Sequence, residues 1–171
     1  IHYLSLAGNQ NFSLAQFNLG IIYYYGQYIK QDINKAIQYL ILAANQNILE
    51  AQLILGNIYY SGQYIKRDIN KAIKYLTFAA NQNNPEAQYD LGVIYSEGIF
   101  ITRDMNKAIH YYLLAANQNY KGAQFNLGNS YLTGKYIKQD INKAIHYLLL
   151  AANQNHPQAQ YNLGVLFFEG R

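Results

Sequence analysis

The sequence predicts an all-α fold, an α-solenoid of stacked helix-turn-helix repeats. The pair Leu-Gly recurs every 36 residues without an insertion, at Leu19-Gly20, Leu55-Gly56, Leu91-Gly92, Leu127-Gly128 and Leu163-Gly164. Each repeat holds two segments whose apolar residues follow the helical period. The chain has only 2 prolines, which disfavours a turn-rich β-sandwich. Because one such unit cannot bury its apolar face alone, successive units must stack.

The first helix of a repeat is represented by the segment 85–96. Its apolar stripe consists of Ala87, Leu91, Ile94 and Tyr95. Asn84 is a suitable N-cap, Pro85 fits the first helical position, and Glu86 complements the helix dipole. Gly98 is expected to end the helix in the left-handed conformation.

The second helix is represented by the segment 68–80. Asp68 is expected to cap it, and its stripe consists of Ile69, Ala72, Ile73, Leu76, Ala79 and Ala80. Asn83 can adopt the left-handed conformation that the following tight turn needs. Gly92 and Ala72 are small enough for the two helices of a pair to approach closely. Each repeat is therefore predicted to be an αα-hairpin.

The spacing predicts a single repeat domain over residues 1–171. It comprises a partial second helix at 1–11, full repeats at 12–47, 48–83, 84–119 and 120–155, and a partial repeat at 156–171. Repeat arrays need polar caps, yet the last segment is apolar along 163–168. We therefore expect a longer array, or self-association through the uncapped C-terminal helix.

The repeated residues also carry a family resemblance. The run 87–95 (AQYDLGVIY), followed by Gly98, Asp104, Lys107-Ala108, Tyr111 and Ala115-Ala116, resembles the Sel1-like repeat (SLR), a subclass of tetratricopeptide-like repeats. The resemblance covers nearly the whole chain. It implies a right-handed superhelix whose first helices line the concave face. The chain departs from the family where Gly is common, with Asn47, Asn83, Asn119 and Asn155.

The same resemblance implies where a partner would bind. Concave positions lie two residues before the repeated Leu and two, five and six residues after it. The resulting candidates are Phe17, Ile21, Leu53, Asn57, Tyr60, Tyr89, Val93, Phe125, Asn129, Tyr161 and Val165, with Tyr24, Tyr25, Ser61, Ser96, Glu97, Leu132, Thr133, Phe168 and Glu169 beside them. Aromatic rings offer apolar contact, and the Asn amides could pair with a peptide backbone. A stripe at this spacing also suits packing against the next helix, so both interpretations remain open.

The residue pattern favours neither catalysis nor a metal site. His2, His110 and His146 share one register of the second helix, but helices pack about 8–10 Å apart and zinc ligands lie about 2 Å from the metal. We interpret these histidines as a polar face, and His156, just before Pro157, as an N-cap or surface residue. The repeated Asp residues are explained by capping. The chain has no cysteine, and we expect no cofactor and no enzymatic activity.

The charge pattern limits the class of partner. The net charge of +4 is far from that of a dedicated nucleic-acid binder. Apart from the capping Asp residues, the acids lie on first helices, whereas nearly all bases lie in connectors or second helices. The groove is therefore predicted to be neutral or acidic, which disfavours nucleic acid. No apolar stretch is long enough to span a bilayer. The sequence predicts a soluble protein and leaves cytoplasm and periplasm open.

Our leading hypothesis is a non-catalytic scaffold or adaptor that binds a peptide or protein segment on the concave face. Two alternatives belong to other classes. One is a hydrolase, because some cysteine-rich relatives have been credited with β-lactam hydrolysis. The other is single-stranded RNA binding by stacked aromatic rings.

Overall fold

A computed structural model describes residues 1–26 and 28–168, and over these residues the protein is entirely α-helical. The helices are α1 (His2–Asn9), α2 (Ser13–Tyr25), α3 (Ile33–Asn45), α4 (Leu49–Ser61), α5 (Ile69–Asn81), α6 (Pro85–Glu97), α7 (Met105–Asn117), α8 (Lys121–Thr133), α9 (Ile141–Ala152) and α10 (Pro157–Phe168). The predicted all-α class is confirmed.

Two compact units divide the chain, at residues 1–82 and 83–171. In the first unit, α2 packs against α1 and α3, and α4 packs against α3 and α5. In the second unit, α7 lies against α6 and α8, α9 lies against α8 and α10, and α6 also touches α8. Within each unit the helices therefore form the predicted helix pairs, each packed against its neighbour.

Side-chain caps mark the first turns of α3, α5, α6, α7 and α9. The backbone N–H of Ala87 donates to Oδ1 of Asn84 at 2.8 Å, which satisfies one of the free donors at the start of α6. Asp68 accepts from the backbone N–H of Lys71 at 3.0 Å, and this bond lowers the pKa of the Asp68 carboxyl. The side chains of Lys71 and Asp68 also form an exposed ion pair at 3.4 Å, which adds little stability. The predicted N-caps are confirmed.

The helix ends depend on residues in the left-handed conformation. Gly98 follows α6 with φ +62°. Asn47 follows α3 with φ +62°. There the N–H of Ile48 donates to Ala43 O and the N–H of Asn47 to Ala44 O, both at 3.1 Å, which is the Schellman pattern. Asn is the side chain that best tolerates this conformation after Gly. The left-handed turn predicted at Asn83 is confirmed, with φ +63°.

The core of each unit consists of the repeated Leu and Ala residues. Leu91 and Ala108 have no solvent exposure in the second unit, and neither have Leu55 and Ala72 in the first. A Cβ atom added to Gly92 would lie 2.5 Å from the ring of Tyr112 on α7. The close helix contact predicted at this glycine is confirmed.

A repeated glutamine ladder also holds each unit together, and the sequence analysis did not predict it. Nε2 of the buried Gln124 donates to Ala116 O and to Asn119 Oδ1, at 3.4 and 2.9 Å. Oε1 of Gln124 accepts from Nε2 of Gln154 at 2.8 Å. These bonds connect α7, α8 and the end of α9. Gln52 forms the equivalent bonds to Ala44 O and Gln82 in the first unit.

Candidate functional site

The first helices of the second unit lie side by side. Helix α6 contacts α8 directly, and Nδ2 of Asn162 on α10 donates to Oδ1 of Asn129 on α8 at 2.7 Å. The side chain of Asn126 on α8 is close enough to the Tyr89 hydroxyl on α6 to oppose the rise in the Tyr89 pKa that burial causes. We call the surface that these helices share the first-helix face, formed by the outward side chains of α6, α8 and α10.

The predicted aromatic column is only partly available to a partner. The Tyr89 ring centroid lies 5.0 Å from that of Tyr120 and 6.0 Å from that of Tyr112. Phe125 stacks on the imidazole of His156 at 4.4 Å. Both rings therefore help to pack one helix pair against the next while remaining half-buried. Tyr161 differs, because 72% of its surface is exposed.

The remaining predicted residues are divided between the two units. Phe17, Ile21, Leu53 and Tyr60 are half-buried in the first unit, where Asn57 is exposed. Phe17, Ile21 and Tyr60 pack against the core of that unit. In the second unit Val93, like Tyr89, packs against the buried core, Asn129 is half-buried, and Val165 is exposed. Of the neighbouring candidates, Glu169 lies outside the described residues.

A polar cluster near Tyr112 was not singled out as a site in the sequence analysis. The Tyr112 hydroxyl is 2.9 Å from Oγ of Ser96, and the side chain of Asn126 is close enough to oppose part of the rise in the Tyr112 pKa. Burial raises the pKa of Tyr112 to about 12, so the phenol stays neutral. Comparing repeats would have revealed the cluster, because Tyr112 stands where the other repeats have Leu40, Leu76 and Leu148.

A cavity of about 270 Å³ opens over this cluster. Its walls come from α6, α7 and α8 and from the connector that follows α8. Ser96, Met105, Tyr112, Asn126, Asn129, Ser130, Thr133, Lys135 and Tyr136 line it. The floor is therefore neutral and polar, whereas the connector edge carries a cation.

The charges near the first-helix face are unevenly placed. Asp90 on α6 is largely buried, and this burial, together with the nearby Glu86 carboxylate, raises its pKa to about 6. At the connector edge, the neighbouring Lys135 ammonium and the charge of Arg103 lower the pKa of the Tyr136 hydroxyl. The N-terminal half of α6 thus disfavours negative charge, whereas the connector after α8 favours it.

Rings on the first and second helices of a pair form a repeated stacked arrangement rather than a reactive cluster. Tyr95 and Tyr111 stack with centroids 5.9 Å apart, and Nζ of Lys107 lies 5.0 Å from the Tyr95 centroid. His110 and His146 are exposed and contact the adjacent Tyr rings edge-on. His156 accepts from the backbone N–H of Ala159 through Nδ1 at 3.4 Å, which fits its expected capping position. Within 1–26 and 28–168, no group of three potential metal ligands comes together.

Comparison with known proteins identifies the repeat. The family model for the Sel1 repeat matches residues 13–48, 49–84, 85–120, 122–156 and 157–171. No curated protein sequence matches the chain. Among the helices that the structure describes, none is long and apolar enough to cross a membrane.

Solved structures of bacterial proteins share the fold. A protective antigen of uropathogenic Escherichia coli with an SLR fold is 28% identical, with a TM-score of 0.90 over 99% of this chain. A Sel1 repeat protein from Oxalobacter formigenes is 32% identical, with a TM-score of 0.83 over 99%. The chain spans 36% of the first protein and 69% of the second. Cysteine rich protein B of Helicobacter pylori is 27% identical, with a TM-score of 0.58, and the match covers 78% of this chain and 96% of that protein.

Proposed function

Since this chain belongs to the Sel1 repeat family, whose members generally act as non-catalytic protein-interaction scaffolds, we propose that it binds a peptide or protein segment on its first-helix face. The observation that carries the proposal is that α6, α8 and α10 lie side by side, with α6 in contact with α8 and the Asn162–Asn129 hydrogen bond joining α10 to α8. These contacts hold amide groups and aromatic rings in fixed positions along one surface.

The chemistry of the face suits a peptide. Tyr89, Phe125 and Tyr161 supply flat apolar surface, and rigid aromatic groups of this kind contribute much of the energy in protein interfaces. The amide nitrogen of Asn129 retains donor capacity, because the known bond of this side chain uses Oδ1. An extended segment could therefore place apolar side chains on the rings while its carbonyl groups accept from Asn129.

Tyr161 provides the sharpest test, because its exposed ring makes little contribution to packing. We would select peptides from a phage-displayed library on the immobilised chain and measure the affinity of a selected synthetic peptide. Tyr161→Ala is expected to weaken binding by about 1–2 kcal/mol with an unchanged melting temperature. Tyr89→Ala and Phe125→Ala should weaken it further, but their contacts with Tyr120 and His156 mean that they also lower stability.

The matched control is Tyr3→Ala, because Tyr3 is 83% exposed on α1, outside the proposed face. His110→Ala and Lys74→Ala serve the same purpose on the second helices. These controls should bind normally. Loss of binding in the controls, with normal binding by Tyr161→Ala, Tyr89→Ala and Phe125→Ala, would place the partner on the opposite surface and refute the proposal.

A salt titration distinguishes this function from RNA binding. Affinity for single-stranded RNA should fall steeply with salt, because counterions are released from the phosphates. Binding of a selected peptide through rings and amides should change much less. The hydrolase alternative gains no support from the described side chains, because the Ser, His and Asp residues discussed above act in caps and hydrogen bonds of the helical framework.

A further inference from the structure

Two positions in the second unit, 96 and 112, depart from the other repeats at the floor of a cavity that a ligand could reach. Tyr112 replaces the Leu of the other repeats, and Ser96 stands where Tyr24, Tyr60 and Leu132 occur. Their hydroxyls lie 2.9 Å apart under the cavity of about 270 Å³. The Tyr112 hydroxyl, which replaces the Leu of the other repeats and pairs with the small Ser96, gives this cavity a polar floor that the repeat architecture itself does not require.

Two cations converge on Tyr136, which lines the mouth of the same cavity. Nη1 of Arg103 donates to the Tyr136 hydroxyl at 2.7 Å, and Nζ of Lys135 lies 5.1 Å from the centroid of the Tyr136 ring. These two cations create a positive potential that favours negative charge on the Tyr136 oxygen, and they therefore lower the pKa of Tyr136. Lys135 is also particular to this repeat, because Gln27, Gln63 and Ile99 hold the equivalent positions.

The acidic groups of the same region limit where an anion can sit. The pKa of the Tyr112 hydroxyl is raised mainly by burial, and the negative charge of Glu97 contributes to the same rise. The backbone carbonyl of Glu97 accepts from Nη2 of Arg103 at 3.1 Å. A carboxylate is therefore disfavoured on the floor beside Tyr112 and favoured at the mouth beside Lys135 and Tyr136.

We propose that this cavity is the specificity pocket for an acidic side chain, Asp or Glu, of the peptide bound on the first-helix face. The inference rests on the proposed function, and it names the chemistry of the segment. The carboxylate contacts the Lys135 ammonium and the Tyr136 hydroxyl at the mouth, where charge-assisted hydrogen bonds are strong. The neutral floor of Ser96, Tyr112 and Asn126 holds the adjoining polar atoms of the peptide.

The test uses capped hexapeptides and the isotope-labelled chain. The first peptide alternates Gly and Glu, with its N-terminus acetylated and its C-terminus amidated. The second peptide is identical except that Gln replaces each Glu. In a nuclear magnetic resonance titration, the Glu peptide should shift the backbone amide signals of Ser130, Lys135 and Tyr136 and reach saturation. The Gln peptide should bind these residues roughly three- to tenfold more weakly, as expected for one partly exposed charged hydrogen bond.

Two variants restore residues that other repeats contain, so the fold should accept them. Lys135→Gln should weaken binding of the Glu peptide by roughly three- to tenfold and leave the Gln peptide unaffected. Tyr112→Leu should weaken binding of both peptides. Lys138→Gln, in the same connector and outside the cavity lining, is the matched control and should bind as the parent chain does.

Equal binding of the Glu and Gln peptides, or unchanged binding after Lys135→Gln, would overturn the inference. So would preferential binding of a Gln peptide with a free C-terminal carboxylate, or equal competition by inorganic phosphate, since either would assign the cavity to another anion. If Tyr161→Ala still weakens binding of the phage-selected peptide in those cases, the proposed function stands and only the acidic specificity fails.

Discussion

Replacing Asp90 by Asn is expected to stabilise the protein at neutral pH. Burial and the neighbouring Glu86 raise the pKa of Asp90 from 3.8 to about 6. The charged form is therefore less favourable in the folded chain than in the unfolded chain. Asn is the residue at the equivalent positions 18, 126 and 162, so the helix already accommodates its amide.

The size of the effect follows from the change in pKa. Each pH unit of difference corresponds to about 1.4 kcal/mol, so the interval from 3.8 to about 6 sets an upper limit of about 3 kcal/mol. Because water reaches part of the carboxylate, we expect Asp90→Asn to raise the free energy of unfolding by about 1 kcal/mol at neutral pH. Below the unfolded-state pKa the carboxyl is protonated in both states and its contribution is constant. As pH rises to about 6, the unfolded chain ionises first and the folded state loses relative stability.

Urea denaturation at several pH values between 4 and 8 measures this effect. The gain in unfolding free energy from Asp90→Asn should be near zero at pH 4, grow toward pH 6 and remain constant above it. Asp104→Asn is a control of opposite sign, because the backbone N–H of Lys107 lowers the pKa of Asp104. Asp104→Asn should lower the free energy of unfolding at neutral pH, and this decrease should disappear as pH falls. A pH-independent difference for Asp90→Asn, or a loss of stability at pH 7, would refute the reasoning.

Three further predictions concern the packing of the second unit. Gly92→Val should lower the free energy of unfolding by roughly 1–3 kcal/mol through overpacking against Tyr112, which thermal melting would measure. The control is Gly164→Ala, which should melt like the parent chain because an added Cβ there meets nothing within 4 Å. Gln124→Leu should lower the unfolding free energy by about 1–3 kcal/mol, because Gln154 and Ala116 O lose their bonds to this side chain; a melting temperature equal to that of the parent chain would contradict this. Burial and Lys121 lower the pKa of His156, so the parent chain should lose stability as pH falls below 6.5. His156→Gln should reduce that loss, which urea titrations at pH 8 and pH 5 would measure. An unchanged pH dependence would show that His156 is not responsible.

The sequence by itself determined the local features of this protein. The helix pairs, the Asp and Asn N-caps, and the left-handed Gly and Asn residues were predicted and are present. These features depend on a few consecutive residues, since a capping carboxylate reaches only the third N–H beyond it and a left-handed turn depends on its own side chain. The constant period of 36 residues extends that local information to every repeat.

Tertiary structure decided which of the equivalent side chains differ in environment. Tyr89, Phe125 and Tyr161 occupy one sequence register, yet the first two pack against Tyr120 and His156 while the third is exposed. The glutamine ladder likewise joins residues 30 positions apart. The burial that raises the pKa of Asp90, and the convergence of Arg103 and Lys135 on Tyr136, come from residues on separate elements. Periodicity assigns a residue to a helix face, but desolvation and charge depend on which atoms of neighbouring helices enclose it, and those distances exist only in the folded chain.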